Sequence, residues 1–450
     1  MRIAGLTWLF VLATGITVNV DFMGRSEIVA RLRDQAPARV EVELINHHDL
    51  IFSTDALSIG DPAQILHSIF DTGSFQPVIF SARCLGFAAC YEDSVPRDAY
   101  DPSNSTTYVG TKSGDVHNAD LVELTYGQGT VDAIYGRDKF AVATQLEARL
   151  SFLEVVAKQS SFESLDLEGL TAVIGIGKTP VMSKMVEQLG LNKHRSLLDA
   201  MEIQRFTVCI GRQPLSSGKL VLNDDSIDSG QATAAFPVDV VGHVHWGLQI
   251  QGISLGEESV ACAEGACTAI ADTGTSLLAV PTQVIQAVME VIGDVNDDCS
   301  NINRLPSLTF KVAGPAGSHD LVIPPDGYMA LLDGYAAPDV WDVIKIWFGE
   351  NPGKISHCVP LLMPQDESSP EFGQVMILGL PLFRQYMATF KHSPPHEIHF
   401  EKSPAEGDCT RRNVGTSLAE EQAGGGSFIT IDPKRLRVPH QKIQSAVSLL

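Results

Sequence analysis

The stretches Ser68-Ile69-Phe70-Asp71-Thr72-Gly73-Ser74 and Ala269-Ile270-Ala271-Asp272-Thr273-Gly274-Thr275-Ser276 decide the fold, because they are two copies of one motif. In each copy an aspartate follows a small or apolar run and precedes Thr-Gly and a hydroxyl residue. The run predicts a buried strand, the glycine permits a tight turn, and the hydroxyls are able to hydrogen-bond a carboxylate held above that turn. One Asp-Thr-Gly arises by chance in roughly one chain in 10 of this length, but two with matching flanks are far rarer.

Two such turns that face each other would bring both aspartates to one site. Like charges at that range do not both ionise easily, so Asp71 and Asp272 are expected to share one proton and to supply an acid and a base together. Two unrelated turns are the alternative interpretation.

A second pair of matching stretches follows the two motifs at nearly equal distances. Gly175 in Ala172–Gly177 comes 104 residues after Asp71, and Gly379 in Val375–Leu380 comes 107 residues after Asp272. An apolar strand that ends in glycine is typical of a place where another backbone passes closely. We therefore predict two halves that carry the same two elements in the same order.

Composition limits the class of protein. A chain of 450 residues with 44% hydrophobic residues is able to bury a large core and to form two domains. The net charge of −22 argues against a nucleic-acid partner and suits an acidic compartment, where carboxylates are partly neutralised. Short apolar stretches between Gly, Pro, Asn and Asp predict a mainly β protein with few short helices.

The two ends of the chain differ in character from its middle. Residues 1–20 resemble a cleaved signal peptide, with an uncleaved signal-anchor or a buried helix as alternatives. Residues 21–48 form a short basic leader, which is either a pro-segment or an ordinary surface leader. We predict an N-terminal lobe over 49–213, a C-terminal lobe over 214–403, and a flexible tail over 404–450.

The eight cysteines of a chain with a secretory leader favour disulfide bridges. Cys209 lies in a predicted strand, where a buried thiol and a bridge to Cys409 are both compatible with the sequence. The spacing of the others suits local bridges and one longer loop, and the predicted pairs are Cys84–Cys90, Cys262–Cys267 and Cys299–Cys358.

Several stretches, in the right order, make the chain similar to the pepsin-like aspartic proteases of peptidase family A1. Besides the two Asp motifs, the resemblance is carried by Thr54–Phe70, Leu124–Gly129, Ser196–Cys209, Trp246–Val280 and Ile377–Arg384, and it covers roughly residues 48–403. It implies a mainly β, bilobal acid-protease fold with two homologous six-stranded β-barrel-like lobes and a central cleft.

The resemblance also implies the chemistry. Asp71 and Asp272 would be the catalytic pair of an aspartic endopeptidase that works at acidic pH, activating a water that attacks a peptide carbonyl. The residues implied to support this pair are Thr72, Ser74, Thr273 and Thr275. The residues implied to bind substrate are Gly73, Tyr126, Gly127, Gln128 and Gly274, with Tyr126 on a flap.

The first motif departs from the family pattern directly after Ser74. Val78 stands where many members have a Trp that supports the flap Tyr, and Pro77 lacks a backbone donor. Weaker flap order, and lower or more selective activity, are the expected results. A catalytically silent homologue that binds or inhibits another protein is therefore the first alternative function.

A metal-dependent hydrolase is the second alternative. His243-Val244-His245 and the adjacent His47-His48 are the suggestive histidine clusters, but no third ligand has a fitting spacing. We therefore predict no metal and no cofactor. The expected partners are protein or peptide substrates, with no nucleic acid, with a membrane only if the N-terminal apolar segment is uncleaved, and with the chain as a monomer. The expected location is the secretory pathway, either secreted or in an acidic, vacuole-like vesicle.

Overall fold

The computed structural model describes residues 10–11, 17–18, 38–84, 99–110, 121–126, 129–158, 169–178, 195–230, 232, 234–263, 267–293, 295–335, 353–405, 409 and 428–433. The chain forms two compact units, Met1–Ala38 and Arg39–Leu450. In the first unit β1 (Phe10–Val11) pairs antiparallel with β2 (Thr17–Val18). In the described ranges, no helix combines the length and the apolar character that a membrane span requires.

The second unit is mainly β, as predicted. Its strands up to residue 210 are β3 (Val40–His47), β4 (Ile51–Ile59), β5 (Gln64–Asp71), β6 (Pro77–Phe80), β7 (Val122–Tyr126), β8 (Gly129–Val142), β9 (Leu146–Lys158), β10 (Ala172–Gly175) and β11 (Arg205–Ile210). The strands that follow are β12 (Gly218–Leu222), β13 (Phe236–Val241), β14 (Gly247–Leu255), β15 (Glu258–Ala261), β16 (Cys267–Ala271), β17 (Leu278–Val280), β18 (Leu308–Gly314), β19 (Gly317–Ile323), β20 (Met329–Tyr335), β21 (Lys354–Pro360), β22 (Leu362–Pro364), β23 (Ser368–Ser369), β24 (Gly373–Leu378), β25 (Tyr386–Lys391), β26 (Glu397–Lys402) and β27 (Ile429–Ile431).

The helices of the described residues are short. They are α1 (Leu197–Ala200), α2 (Thr282–Ile292), α3 (Pro325–Tyr328) and α4 (Leu380–Gln385), with 3-10 turns at Pro102–Asn104 and Ile302–Arg304. The longest, α2, buries Val284, Ile285 and Val288, which lie on one face at helical spacing.

The predicted internal repeat is confirmed by strand pairing. β5, which ends at Asp71, lies parallel to β10, with Asp71 opposite Gly175. β16, which ends one residue before Asp272, lies parallel to β24 in the same arrangement, with Ala271 opposite Leu378. Each half thus supports its aspartate with the same pair of parallel strands.

One antiparallel sheet joins the two halves. Its strands run in the order β13, β26, β25, β11, β12, β3, so that neighbours come from both halves. Aromatic side chains fill the core beneath it: Phe206 stacks on Phe390 at 4.7 Å between ring centroids, and Trp246 meets Phe390 edge-on at 5.1 Å. The lobe limit predicted at 213/214 lies in the connection between β11 and β12 and stays a prediction.

The prediction of a leader over 21–48 is not met at its end, where residues 40–47 form a strand of the folded body. Val40, Val42 and Leu44 are buried and alternate with exposed Glu41 and Glu43, which is the period-two pattern of a strand. β3 pairs with β12 and β4, so these residues belong to the folded body. Residues 21–37 of the predicted leader lie outside the described part.

The tail predicted as flexible over 404–450 is also tied to the body at two places. Cys409 is bonded to Cys209, which settles the alternative left open for Cys209. β27 pairs in parallel with β20, because Ile429 and Ile431 bury their side chains there. The structure contains the bridges Cys262–Cys267 and Cys299–Cys358 as well, whereas Cys90, the predicted partner of Cys84, lies outside the described residues.

Candidate active site

The Asp71 carboxylate is held by the turn that follows it. Its Oδ1 accepts a hydrogen bond from the backbone N–H of Gly73 at 2.8 Å, and its Oδ2 accepts one from the Ser74 hydroxyl at 2.6 Å. The residue is only 2% exposed. A carboxylate that is buried and bonded in this way has one fixed orientation.

The second loop repeats this geometry. Oδ1 of Asp272 accepts from the N–H of Gly274 at 2.8 Å, and Oδ2 accepts from the Thr275 hydroxyl at 2.6 Å. Asp272 is 1% exposed. The same residue types at the same positions therefore produce the same local structure in both halves.

The two loops are bonded to each other through their threonines. Oγ1 of Thr72 donates to the carbonyl of Ala271 at 2.8 Å and accepts from the N–H of Thr273 at 2.9 Å. In the reverse direction, Oγ1 of Thr273 donates to the carbonyl of Phe70 at 2.8 Å and accepts from the N–H of Thr72 at 3.1 Å. This reciprocal arrangement fixes the two turns against each other.

Gly73 brings the two aspartates together. A Cβ atom at Gly73 would lie 2.4 Å from Cγ of Asp272 and 2.5 Å from each of its carboxylate oxygens. A side chain does not fit there, so the Asp272 carboxylate lies directly against the first turn. The sequence motif thus supplies a glycine where the second carboxylate needs room.

Gly175 and Gly379 occupy close approaches of the kind predicted for them. A Cβ at Gly175 would lie 2.5 Å from the carbonyl carbon of Phe75, and one at Gly379 would lie 2.3 Å from the carbonyl oxygen of Thr275. The glycines therefore let each Asp loop pass directly over the neighbouring strand. The Ile176 N–H donates to the Asp71 carbonyl at 2.9 Å and ties the first loop down.

The predicted flap is only partly described. β7 and β8 form its arms, and the backbone of Tyr126 is paired with Gly129. The side chain of Tyr126, and Gly127 and Gln128, lie outside the described residues.

Val78 lies beneath these arms in a buried apolar cluster. It is 6% exposed and belongs to a buried cluster with Val131, Ala133 and Val155, against which Leu124 of the flap packs. Pro77 begins β6 and lies opposite Ile174 of β10. The first loop therefore departs from the family pattern at a buried position that is closely surrounded by apolar side chains.

A buried lysine that the sequence did not suggest lies next to the site. Lys178 follows the apolar-Gly stretch of the first half and is 1% exposed. Its Nζ donates to the carbonyls of Val241 and Gly242, at 3.2 and 2.6 Å. Burial lowers the pKa of Lys178 to about 7. Its position directly after Gly177, at the end of a buried run, was the only signal available in the sequence.

In the described ranges, the histidines that the sequence offers as metal ligands do not form a metal-binding site. His47 and His67 both contact the Ser53 hydroxyl, at 2.6 and 3.1 Å, and Ser53 is fully buried. No group of three His, Cys, Asp or Glu residues in the described part of the chain is arranged to hold a metal ion.

Comparison with known proteins gives consistent matches. Residues 54–334 match the family model of the eukaryotic aspartyl proteases. Cathepsin E-A of Xenopus laevis is 31% identical over 297 residues, which cover 62% of this chain and 67% of that protein. Cathepsin E of Aquarana catesbeiana is 30% identical over 66% of this chain and 71% of its own length. Pepsin A of Bos taurus is 29% identical over 67% of this chain and 77% of its own length.

Proposed function

Because this chain belongs to the eukaryotic aspartyl protease family and is an aspartic-type endopeptidase, we propose that Asp71 and Asp272 carry its reaction. The observation that supports this assignment best is the contact of Gly73 with the Asp272 carboxylate. Together with the reciprocal threonine bonds, this contact supports a site that the two buried carboxylates share.

The reaction follows from two carboxyl groups that share one proton. The ionised carboxylate removes a proton from a water molecule as its oxygen bonds to the carbonyl carbon of the substrate. The protonated carboxyl gives its proton to the carbonyl oxygen, which becomes a hydroxyl of the tetrahedral intermediate. When the C–N bond breaks, the leaving nitrogen takes the proton that the first carboxylate removed from water, and a hydroxyl proton of the intermediate returns to the other carboxylate. An acid and an amine are released, and the pair again holds one proton.

The supporting residues keep this pair in place. Ser74 and Thr275 would orient the outer carboxylate oxygens, and Thr72 and Thr273 would keep the loops in register. We propose that an extended peptide lies over Gly73 and Gly274, where the absence of side chains lets its backbone approach. Tyr126, Gly127 and Gln128 would close over it from the flap.

The test is cleavage of a denatured protein by the matured enzyme, measured from pH 2 to 8. We expect a bell-shaped profile centred below about pH 6.5, because the reaction needs one carboxyl ionised and one protonated. Asp71→Asn and Asp272→Asn should each abolish cleavage, while Asp228→Asn, an exposed aspartate paired with Arg205, should leave it intact. A flat profile that rises above neutrality would contradict a shared-proton pair, and absence of cleavage under all processing conditions would support the silent homologue.

The cellular compartment in which the protease works is also a proposal. The three disulfides of the described residues suit an oxidising compartment, and we propose the secretory pathway or an acidic vesicle that it supplies. The Cys209–Cys409 bond joins the tail to β11 of the sheet that the two halves share. We therefore propose that residue 409 stays attached during maturation.

A further inference from the structure

The C-terminal strand β27 lies outside the stretch that matches the family model, which ends at residue 334. It adds a parallel strand to the free edge of β20, which pairs on its other side with β21. In the register, Ile429, Thr430 and Ile431 lie opposite Ala330, Leu331 and Leu332. The chain therefore binds its own tail by strand addition, a common mode of peptide recognition.

The side chains of β27 alternate as a half-buried strand requires. Ile429 and Ile431 are 3% and 1% exposed, whereas Thr430 between them is exposed. Directly after the strand, the chain packs against Gly334, where a Cβ would lie 2.6 Å from Oδ1 of Asp432 and 2.9 Å from Cδ of Pro433. Backbone pairing, two buried isoleucines and this close contact hold the segment in one register.

The two isoleucines join the hydrophobic cluster that lies under the second aspartate. The same cluster contains Ile270, two residues before Asp272, and Leu277, five residues after it. It also contains Ile377, which lies opposite Ile270 in the parallel pair of β16 and β24. The tail strand thus packs into the apolar support of the Asp272 loop.

The connection to β27 is polar and rich in glycine. Residues 410–427 include Gly424-Gly425-Gly426 and follow Cys409, which is covalently bonded to Cys209. A cut in this segment would leave residues up to 409 attached by the disulfide and would leave β27 held by non-covalent contacts alone.

We propose that β27 is a detachable strand that holds the Asp272 loop in its working geometry, and that the edge of β20 is the site where this strand docks. Regulation would follow from occupancy of this edge: the enzyme is fully active with the strand in place and weakly active without it. This inference rests on the proposed role of Asp272, and it assigns Ile429 and Ile431 as positioning residues.

The experiment uses the full-length protein with a sequence-specific protease site placed within residues 410–427. After the cut, the fragment from residue 428 onward is removed, and kcat and KM are measured on a peptide substrate. We expect kcat to fall by about 10- to 100-fold with little change in KM, since small displacements of a catalytic group cost this much. Adding the fragment of residues 428–450 back should restore kcat.

Matched fragments separate docking from non-specific effects. A fragment with Ile431→Asp should not restore kcat, whereas one with Thr430→Asp should, because Thr430 faces solvent. An unchanged kcat after removal of the fragment would overturn the proposal. A loss of kcat that the native fragment does not restore would also overturn it.

A binding measurement with the 428–450 fragment distinguishes failure of this inference from failure of the proposed function. If the intact protein cleaves nothing, the proposed function fails, and binding of a fluorescent 428–450 fragment to the cut protein decides about the strand. Binding that Ile431→Asp abolishes, together with slower amide exchange over Ile270–Leu277, would support the proposal. No binding would overturn it.

Discussion

Thr72 and Thr273 each use one hydroxyl to bond two backbone groups of the opposite loop. At the scale of single residues, this exchange explains why the motif needs threonine directly after each aspartate. The motif was predictable from sequence because all its parts lie within four residues of one another. Lys178 was not, because its burial depends on Val241 and Gly242, which are distant in the chain.

Replacing Thr72 by valine should destabilise the protein by about 2–6 kcal/mol. The shape is retained, but the Ala271 carbonyl and the Thr273 N–H lose their partner in a buried place, at about 1–3 kcal/mol for each unsatisfied group. Thr72→Ser keeps the hydroxyl and is the control, with a clearly smaller loss. Urea denaturation of both variants measures the difference; equal losses would mean that the methyl group, rather than the hydroxyl, matters.

At the scale of elements, β6 shows how the structure accommodates its unusual sequence. Val78 packs between β8, β9 and the base of the flap, and Phe75 before it is 7% exposed. Val78 is buried, so the side chains around it already enclose the valine.

Introducing the tryptophan that is usual in the family should therefore not improve this protein. We expect Val78→Trp to lower the free energy of unfolding by about 1–3 kcal/mol or more, because a much larger side chain overfills a closed cluster. Val78→Ile, which adds one methylene, is the control and should cost less. Thermal or urea denaturation decides; a stability equal to that of the native protein, with higher kcat/KM, would show that space for the ring exists.

The elements that the sequence did not predict are those at the two ends. β5 and β16 are recognisable because an apolar run ends in a distinctive motif. β3 has a clear alternation of valine and glutamate, but it directly follows a basic leader, and the sequence alone does not separate the two. Ile429-Thr430-Ile431 is a short apolar pattern in polar surroundings, and its strand exists only because the edge of β20, about a hundred residues earlier, accepts it.

At the scale of the whole molecule, the seam between the halves contains groups that titrate. Lys178 of the first half donates to carbonyls of the second, and the indole N–H of Trp246 donates to the Ile176 carbonyl at 3.0 Å. Burial lowers the pKa of His396, and the nearby charges of Lys178 and His392 lower it further. His392 itself contacts Asp199 at 2.8 Å.

Lys178 should make stability depend on pH. Its pKa is about 7 in the folded protein and about 10.4 in the unfolded chain, so the unfolded chain binds a proton first as pH falls. Stability is therefore lost from about pH 10 down to about pH 7 and is constant below, and His396 adds a further loss as pH falls below 6.5.

Replacing this lysine by methionine tests the effect. The stability of Lys178→Met relative to the native protein should rise by on the order of 4 kcal/mol between pH 10 and pH 6. Lys139→Met, at a partly exposed lysine paired with Glu147, is the control and should show no such trend. Urea midpoints at pH 10, 8 and 6 give the comparison. If the stabilities of the Lys178 variant and the native protein change with pH in parallel, the buried amine is not neutral at high pH.

The bond between Cys209 and Cys409 bears on how this protease can be produced. The sequence resemblance of this chain to its family ends near residue 403, so a recombinant fragment that ends there is an obvious choice for expression. Such a fragment would carry an odd number of cysteines, with Cys209 left as a thiol in the central sheet. During oxidative refolding that thiol would compete for the partners of the other bridges and yield scrambled isomers. A fragment that extends to Pro433 keeps an even set, and its refolding yield on a non-reducing gel should be higher.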